Sequence, residues 1–231
     1  MKSIDKIVVF TGAGISAESG IKTFRDSGGL WEEYDVNDVA TPEGWKKNLK
    51  MVLEFYNKRR KQVLDAKPNA AHIALAELEL RYNVHIVTQN IDNLHERAGS
   101  TNVLHLHGEV TKSQSSIDPT LIYTITGSEL NEGDACEKGS QLRPHIVWFG
   151  ESVPNMAKAY DIVSQADLLI VVGTSLNVYP AASVIDYAPT RIKKYLIDPN
   201  LEDMGGIDNL TVINALAGIG VPKLVKELLK Q

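Results

Sequence analysis

The feature that constrains this chain most is a set of short β-branched apolar runs: "KIVVF" (6–10), "VHIVT" (84–88), "NVLHL" (102–106), "HIVWF" (145–149), "LLIVV" (168–172), "KKYLI" (193–197) and "LTVI" (210–213). A strand with one wet face alternates apolar and polar residues. A run that stays apolar must be covered on both faces, as in a parallel sheet. Helical patterns fall between the runs, at "AAHIALAELELRY" (70–82), "NMAKAYDIVSQA" (155–166) and "VPKLVKELLK" (221–230). Strand and helix in alternation predict an α/β fold, a Rossmann-like doubly wound parallel sheet. Two stretches interrupt it: a charged helix from about Pro42 to Lys67, and the polar, turn-rich residues 109–142. The expected organisation is therefore one domain. Its core comprises 1–27, 68–108 and 143–231, and insertions 28–67 and 109–142 form a small second lobe.

Composition narrows the function. A chain of 231 residues, 43% apolar, can bury roughly 70% of its unfolded surface. A net charge of −5 with no basic stripe argues against nucleic-acid binding. "LLIVV" is far shorter than the roughly 20 apolar residues a membrane helix needs. The N-terminus runs almost straight into a strand without an export signal, so a cytoplasmic location is expected. A single cysteine, Cys136, excludes an intrachain disulfide. No motif sets an oligomeric state or a protein target.

"KIVVFTGAGISAESG" places Gly12, Gly14 and Ala17 directly after the first run. That G-x-G-x-x-G/A spacing allows a tight turn and lets the backbone approach a pyrophosphate at a helix N-terminus. A dinucleotide dehydrogenase would continue through a helix to a second strand. Here "GIKTFRDSGGLW" follows, which reads as a cover over a ligand, or as a surface loop anchored by Phe24 and Trp31.

Six segments carry a more specific likeness: "GAGIS" (12–16), "GIKTFR" (20–25), "TQNID" (88–92), "HLHG" (105–108), "LRPHIVWFGE" (142–151) and "GTSLNVYPAA" (173–182). In order and spacing the chain resembles the sirtuin family, NAD-dependent protein lysine deacylases, over essentially its whole length. The resemblance implies NAD as co-substrate and acylated lysine side chains of proteins as partners. In that chemistry the acyl oxygen displaces nicotinamide from the ribose. A ribose hydroxyl, deprotonated with help from a histidine, then attacks the imidate, giving free lysine and O-acyl-ADP-ribose. By motif match His107 is the base, and an imidazole suits proton removal near neutrality. His105 is expected on the same strand face. Asn90 is the second catalytic candidate. Gln89 and Asn90 would bind ribose hydroxyls, Asp92 the carboxamide, and Ile91 would line the same pocket. Asp and Asn are also good helix N-caps, so a capped strand end is the plainer reading of "TQNID".

The same resemblance places Gly12, Ala13, Gly14 and Ser16 at the pyrophosphate, Phe24 and Arg25 on the cofactor loop, and Gly173, Thr174 and Ser175 at the adenosine half. Ala217 would close over adenine. Substrate backbone is expected to add as a strand between "WFGES" and "NVYPA", with Val147, Phe149 and Gly150 as contacts.

Tyr56 and Arg59 stand at i and i+3, on one face of a helix, and together a phenol and a guanidinium can bind a carboxylate. In isolation, Lys58, Arg59, Arg60 and Lys61 read as a solvated basic face. Placed in the family's acyl-channel helix, the pair matches the Tyr-x-x-Arg of the branch that removes succinyl, malonyl and glutaryl groups. It implies that preference over acetyl.

Most sirtuins hold a structural zinc with two cysteine pairs, but residues 109–142 contain one Cys and no His. The usual four-ligand site is thus expected to be absent. Ser113 and Ser116 occupy a spacing better known with cysteines. Packing of Ile117, Leu121, Ile122, Tyr123 and Ile125 is expected to fold the lobe instead. His72 reads as a helix-start packing residue, His85, His95 and His145 have no assigned partner, and Cys136 reads as an incidental loop thiol. An ADP-ribosyltransferase or a non-catalytic NAD or ADP-ribose sensor is the alternative. The retained His107 and the Tyr56/Arg59 pair weigh against the transferase, and the retained His107 against the sensor.

Overall fold

In the computed structural model, which describes residues 4–22, 33–174, 179, 181–200 and 207–230, six of the apolar runs pair side by side. The strands in chain order are β1 (Lys6–Thr11), β2 (Asn83–Thr88), β3 (Val103–His105), β4 (Gly108–Ser115), β5 (Ile122–Thr124), β6 (Leu142–Ile146), β7 (Leu168–Val172), β8 (Lys193–Ile197) and β9 (Leu210–Ile213). The main sheet is ordered β3-β2-β1-β7-β8-β9, and every pairing in it is parallel. Along β1 the faces alternate. Ile7 and Val9 enter one core with Ile86, Ile170 and Val172, while Val8 and Phe10 enter the opposite core with Leu169 and Val171. Both faces of β1 are covered, which explains why the run from Ile7 to Phe10 stays apolar.

The helices in chain order are α1 (Gly14–Ala17), α2 (Val36–Val39), α3 (Pro42–Lys47), α4 (Leu49–Asp65), α5 (Ala70–Leu78), α6 (Leu94–Ala98), α7 (Met156–Ser164) and α8 (Ala217–Leu228). Helices α5 and α8 cover the first face through Leu75, Leu78, Val221 and Leu224. Helix α7 covers the second through Ala159 and Val163. Asn69 and His72 form a capping box at the start of α5, with His72 fully buried. The charged 42–67 stretch is two helices. Thr41 caps the first and Asn48 the second, whose side chain accepts from Met51 N. No described helix is long and apolar enough to cross a membrane.

Three expectations need correction. "HIVWF" does not join the parallel sheet; its first residues end β6, which lies beside β4 in a separate antiparallel sheet ordered β5-β4-β6. Length and apolarity alone cannot tell which sheet a run will join. The basic face of α4 is only half solvated: Lys58 and Lys61 are exposed, but Arg59 and Arg60 are buried. Finally, Ile117 and Ile122 are exposed and Leu121, Tyr123 and Ile125 only partly buried, so they do not form the core of the small lobe.

The lobe is fastened by polar groups instead. Arg60 donates from Nε to Val110 O (2.6 Å) and from one terminal nitrogen to Asn57 Oδ1 (2.7 Å) and Ser128 O (2.8 Å). A fully buried cation thereby ties α4 to β4 and to the loop beyond β5. Asn57 adds bonds to both the N–H and the carbonyl of Leu130. Farther out, Ser115 and Ser140 share a hydrogen bond (2.8 Å), and Cys136 Sγ contacts both hydroxyls, at 3.4 and 3.2 Å. A third apolar core joins α4 to the small sheet and to α6 through Val52, Phe55, Tyr56, Leu94, Val110, Ile146 and Trp148.

Candidate active site

Strand order reverses between β1 and β7, and in open α/β sheets ligands bind beyond the carboxyl ends of strands at such a point. The loops leaving these strands touch. Gly12 N donates to Val172 O (3.0 Å) and Gly14 N to Gly173 O (2.8 Å). A Cβ on Gly14 would lie 2.7 Å from Gly173 Cα, and Gly173 itself has φ +60°. Side chains are excluded here so that the two backbones can pack against each other. The helix after the glycines is only the four residues of α1, so the expected pyrophosphate seat at a helix N-terminus shrinks to a single turn with little dipole. Ala13 and Gly14 line the rim, partly exposed, and Ser16 is buried behind them.

The "TQNID" segment leaves β2 beside this loop. Asn90 is buried and held on every side. Its N–H donates to Thr88 Oγ1 (3.0 Å), and its amide donates to Gly12 O (3.1 Å) and Ser16 Oγ (3.2 Å). Asp92, 4% exposed, accepts from Ser16 Oγ (3.0 Å) and from Leu94 N (3.1 Å). It is thus a capping group and a site carboxylate at once. Burial raises its pKa, against the Leu94 and Ser16 hydrogen bonds. Gln89 donates to Thr174 Oγ1 (3.2 Å) and so bridges the ends of β2 and β7. Ile91 accepts Val110 N through its carbonyl (2.8 Å), tying the segment to β4.

His107 sits between β3 and β4, partly buried. Its Nδ1 lies 2.9 Å from Gln89 O. A carbonyl can only accept, so Nδ1 carries the hydrogen and Nε2 keeps its lone pair. Burial lowers the pKa of His107, with the Gln89 carbonyl acting against it. The next residue explains the chain's path: a Cβ on Gly108 (φ +83°) would fall 2.1 Å from His145 O. His105 does not share this role. It is 8% exposed, with Nδ1 on Asn90 O (2.9 Å) and Nε2 on Glu96 Oε1 (2.8 Å). Burial disfavours its charge, but Glu96 and the Asn90 carbonyl outweigh that and raise its pKa. The two histidines thus differ in setting: His105 is held between the Asn90 carbonyl and Glu96, while His107 has one described hydrogen bond, to the Gln89 carbonyl.

Tyr56 and Arg59 do share one face of α4, and both are buried. Trp148 Nε1 donates to Tyr56 Oη at 3.0 Å. The Trp148 ring is covered by Arg143, whose guanidinium carbon lies 3.5 Å from the ring centroid. Glu151 holds Arg143 with two bonds (2.7 and 3.0 Å) and also accepts Trp148 N (2.8 Å). Among the described residues Arg59 reaches Lys22 O, from both terminal nitrogens at 3.3 Å, and Gln62 Oε1 at 3.4 Å, and its Nε meets no acceptor. Burial lowers the Arg59 pKa, and the nearby Asp92 charge works in the other direction.

Phe149 and Gly150 are exposed and Val147 is partly buried. The amides of Val147, Trp148 and Phe149 already donate to His107 O, Glu151 Oε2 and Ala40 O. An added peptide strand therefore cannot draw on those three donors, contrary to the simplest version of the strand-addition expectation. Ala217 is buried in the core at the start of α8, where Glu18 caps Gly218 N (2.6 Å). Phe24, Arg25 and Ser175 lie outside the described residues, as does most of "NVYPA". The polar cluster of the small lobe forms at Ser115, Cys136 and Ser140 rather than at Ser113 and Ser116, because β4 runs on to Ser115 before turning. Sequence reasoning missed Arg143, Trp148 and Glu151 as a unit. An eight-residue gap between Arg143 and Glu151 has no periodic signature.

Known proteins align with this geometry. Residues 12–180 match the Sir2 family. A protein of Helicobacter pylori named NAD-dependent protein deacylase is 52% identical over 224 residues, 97% of this chain and 97% of its own. One of the same name from Bacteroides thetaiotaomicron is 52% identical over 228 residues, 96% of this chain and 97% of its own. Among solved structures, a Sir2 homologue in complex with NAD has a TM-score of 0.89 at 37% identity, with 99% of this chain and 91% of that one covered. A mutant Sir2 homologue in complex with ADP-ribose has a TM-score of 0.90 at 37% identity, covering 99% and 93%. With its glycine loop, its Asn90 turn and its His107 gathered at one switch point, the chain belongs to the Sir2 family.

Proposed function

We propose that this chain is an NAD-dependent protein-lysine deacylase that removes succinyl and malonyl groups in preference to acetyl. The observation that carries the reading is the His107 tautomer: Nδ1–H is spent on Gln89 O, leaving Nε2 as a base beside the Asn90 turn. The residues fit NAD. Gly12, Gly14 and Gly173 pack backbone to backbone where a Cβ would clash, and in this reading the pyrophosphate lies against that bare backbone. Gln89 offers its amide and Asn90 its Oδ1 to ribose hydroxyls, and Asp92 offers a carboxylate to the nicotinamide amide. When bound, NAD supplies an electrophilic ribose carbon with a neutral leaving group. His107 Nε2 takes the proton of a ribose hydroxyl, and its lowered pKa keeps it unprotonated at neutral pH.

The acyl preference rests on Tyr56 and Arg59. Among the described residues the hydrogen-bond acceptors of this buried guanidinium are neutral and long, at 3.3–3.4 Å, an arrangement that is costly, and a dicarboxyl acyl chain would bring it a carboxylate at hydrogen-bond distance. Tyr56 Oη already accepts from Trp148, so its own hydrogen is free to donate to that carboxylate. Such charge-assisted bonds contribute about 1.5–3 kcal/mol. No structural zinc is needed in this reading, because Arg60 and the Ser115–Cys136–Ser140 contacts fasten the lobe.

Mass spectrometry of a succinyl-lysine peptide incubated with NAD should reveal O-succinyl-ADP-ribose. The kcat/KM ratio for succinyl over acetyl peptide should exceed one and collapse in Arg59→Met. Equal ratios in the two enzymes would reject the carboxylate clamp, and no acyl-ADP-ribose with any acyl peptide would reject the deacylase assignment.

A further inference from the structure

At the carboxyl ends of β1 and β2 lies a buried polar seam to which His95, given no role above, contributes. His95, on α6, is 1% exposed, and its Nε2 sits 3.1 Å from Thr11 Oγ1. Thr11 Oγ1 donates to Thr88 Oγ1 at 2.8 Å, and both threonines are fully buried. These are the last residues of β1 and β2 and register partners in the sheet. Each immediately precedes a site loop, Gly12–Gly14 or Gln89–Asp92. Thr88 Oγ1 also accepts Asn90 N.

The direction of this chain is fixed by chemistry. A hydroxyl that donates its one hydrogen onward can only accept from its other neighbour. Thr11 donates to Thr88, so His95 must donate to Thr11, and its proton therefore resides on Nε2. Neutrality follows from the surroundings. His72 packs edge to face at a centroid distance of 4.9 Å, and His105 stands near, so a second proton on His95 would be buried beside other imidazoles. The remaining lone pair, on His95 Nδ1, has no partner.

We propose that His95 is a positioning residue for the NAD chemistry. Its neutral Nε2–H polarises Thr11 and Thr88 so that the Asn90 turn stays in register with the glycine loop. Its link to catalysis rests on the deacylase reading. The imidazole touches no substrate; it acts through two hydroxyls on a backbone N–H.

The test uses His95→Leu, which removes the donor, His95→Gln, whose amide nitrogen can replace Nε2–H, and Thr11→Val, which deletes one link without changing volume. Each is assayed for nicotinamide release well below its melting temperature. Misplacement of catalytic groups by a fraction of an ångström to an ångström costs on the order of 10- to 100-fold. His95→Leu and Thr11→Val should therefore lose kcat by about that factor, with KM for the acyl peptide unchanged. His95→Gln should recover most of the loss, and His95→Leu/Thr11→Val should be no worse than the poorer single variant. Amide exchange at Asn90, measured by NMR, should quicken in both single variants while Gly99, at the far end of α6, keeps its rate.

A folded His95→Leu enzyme with wild-type kcat, or losses that multiply in the double variant, would overturn the proposal. Unchanged Asn90 exchange in both single variants would do so as well. Wild-type protein that releases no nicotinamide would instead overturn the deacylase reading and the link to catalysis. The positioning of Asn90 would then stand or fall on the exchange data.

Discussion

Replacing Trp148 with Phe tests the acyl pocket at one atom. Trp148 is 2% exposed, stacked under Arg143 and packed near Trp45 at 5.7 Å between centroids. Phe keeps an aromatic ring in that stack but removes the Nε1–H that donates to Tyr56 at 3.0 Å. With that donor present, the Tyr56 oxygen accepts from the indole and sends its own hydrogen elsewhere, and among the described residues nothing accepts it. Without the donor the hydroxyl rotates freely and its readiness for a carboxylate is lost. A buried neutral hydrogen bond contributes about 0.5–1.5 kcal/mol. At about 1 kcal/mol, the succinyl-to-acetyl ratio of kcat/KM should fall roughly fivefold. Tyr56→Phe removes the phenol altogether, and with it a bond of about 1.5–3 kcal/mol, so the ratio should fall roughly 10- to 100-fold. Adding Trp148→Phe to Tyr56→Phe should then change the ratio no further. Any loss from the smaller ring should touch both substrates alike. If Trp148→Phe slows succinyl and acetyl peptides by the same factor, the idea that Trp148 orients Tyr56 is wrong.

Arg60→Met should destabilise the folded chain by on the order of 3 kcal/mol in urea denaturation. Three oxygens lose a charged donor, partly offset by removal of a buried cation; a change under about 1 kcal/mol would show that Arg60 does not fasten the lobe. His105, whose folded pKa lies above its ordinary 6.5, contributes stability that is complete below pH 6.5 and is lost as pH rises through the folded value. Melting temperatures across that range should fall in wild type and stay flatter in Glu96→Gln, which removes the partner 2.8 Å away. Because His107 is lowered from 6.5 by burial, the acid limb of kcat/KM should begin below pH 6.5. A limb centred above 7 would assign the base to another group. Metal analysis of purified protein should find less than stoichiometric zinc, and a full equivalent would contradict fastening by Arg60 and the Ser115–Cys136–Ser140 cluster.

What the sequence determined by itself was everything governed by local pattern. The apolar runs at the centre of the sheet, in β1 and β7, specified strands buried on both faces, and "GAGIS" directly after one of them specified a close approach of two backbones, because only glycines tolerate it. That Tyr56 and Arg59 share one face of a helix and that His107 follows a strand end was also legible, since a helical i, i+3 spacing and a strand end are short-range relations. What only the tertiary structure decided depends on which distant segments meet. Arg60 and Lys61 are neighbours in sequence, yet one is a buried clamp and the other is solvated, because the face of α4 that meets β4 is set by packing. "HIVWF" is as apolar as its fellows but lies against β4, so its Trp148 turns toward Tyr56 instead of entering the parallel sheet. His95 offered no signal at all. Its partner Thr11 is 84 residues away, and such a hydrogen bond exists only once β1 and β2 have aligned and water has left the space between them.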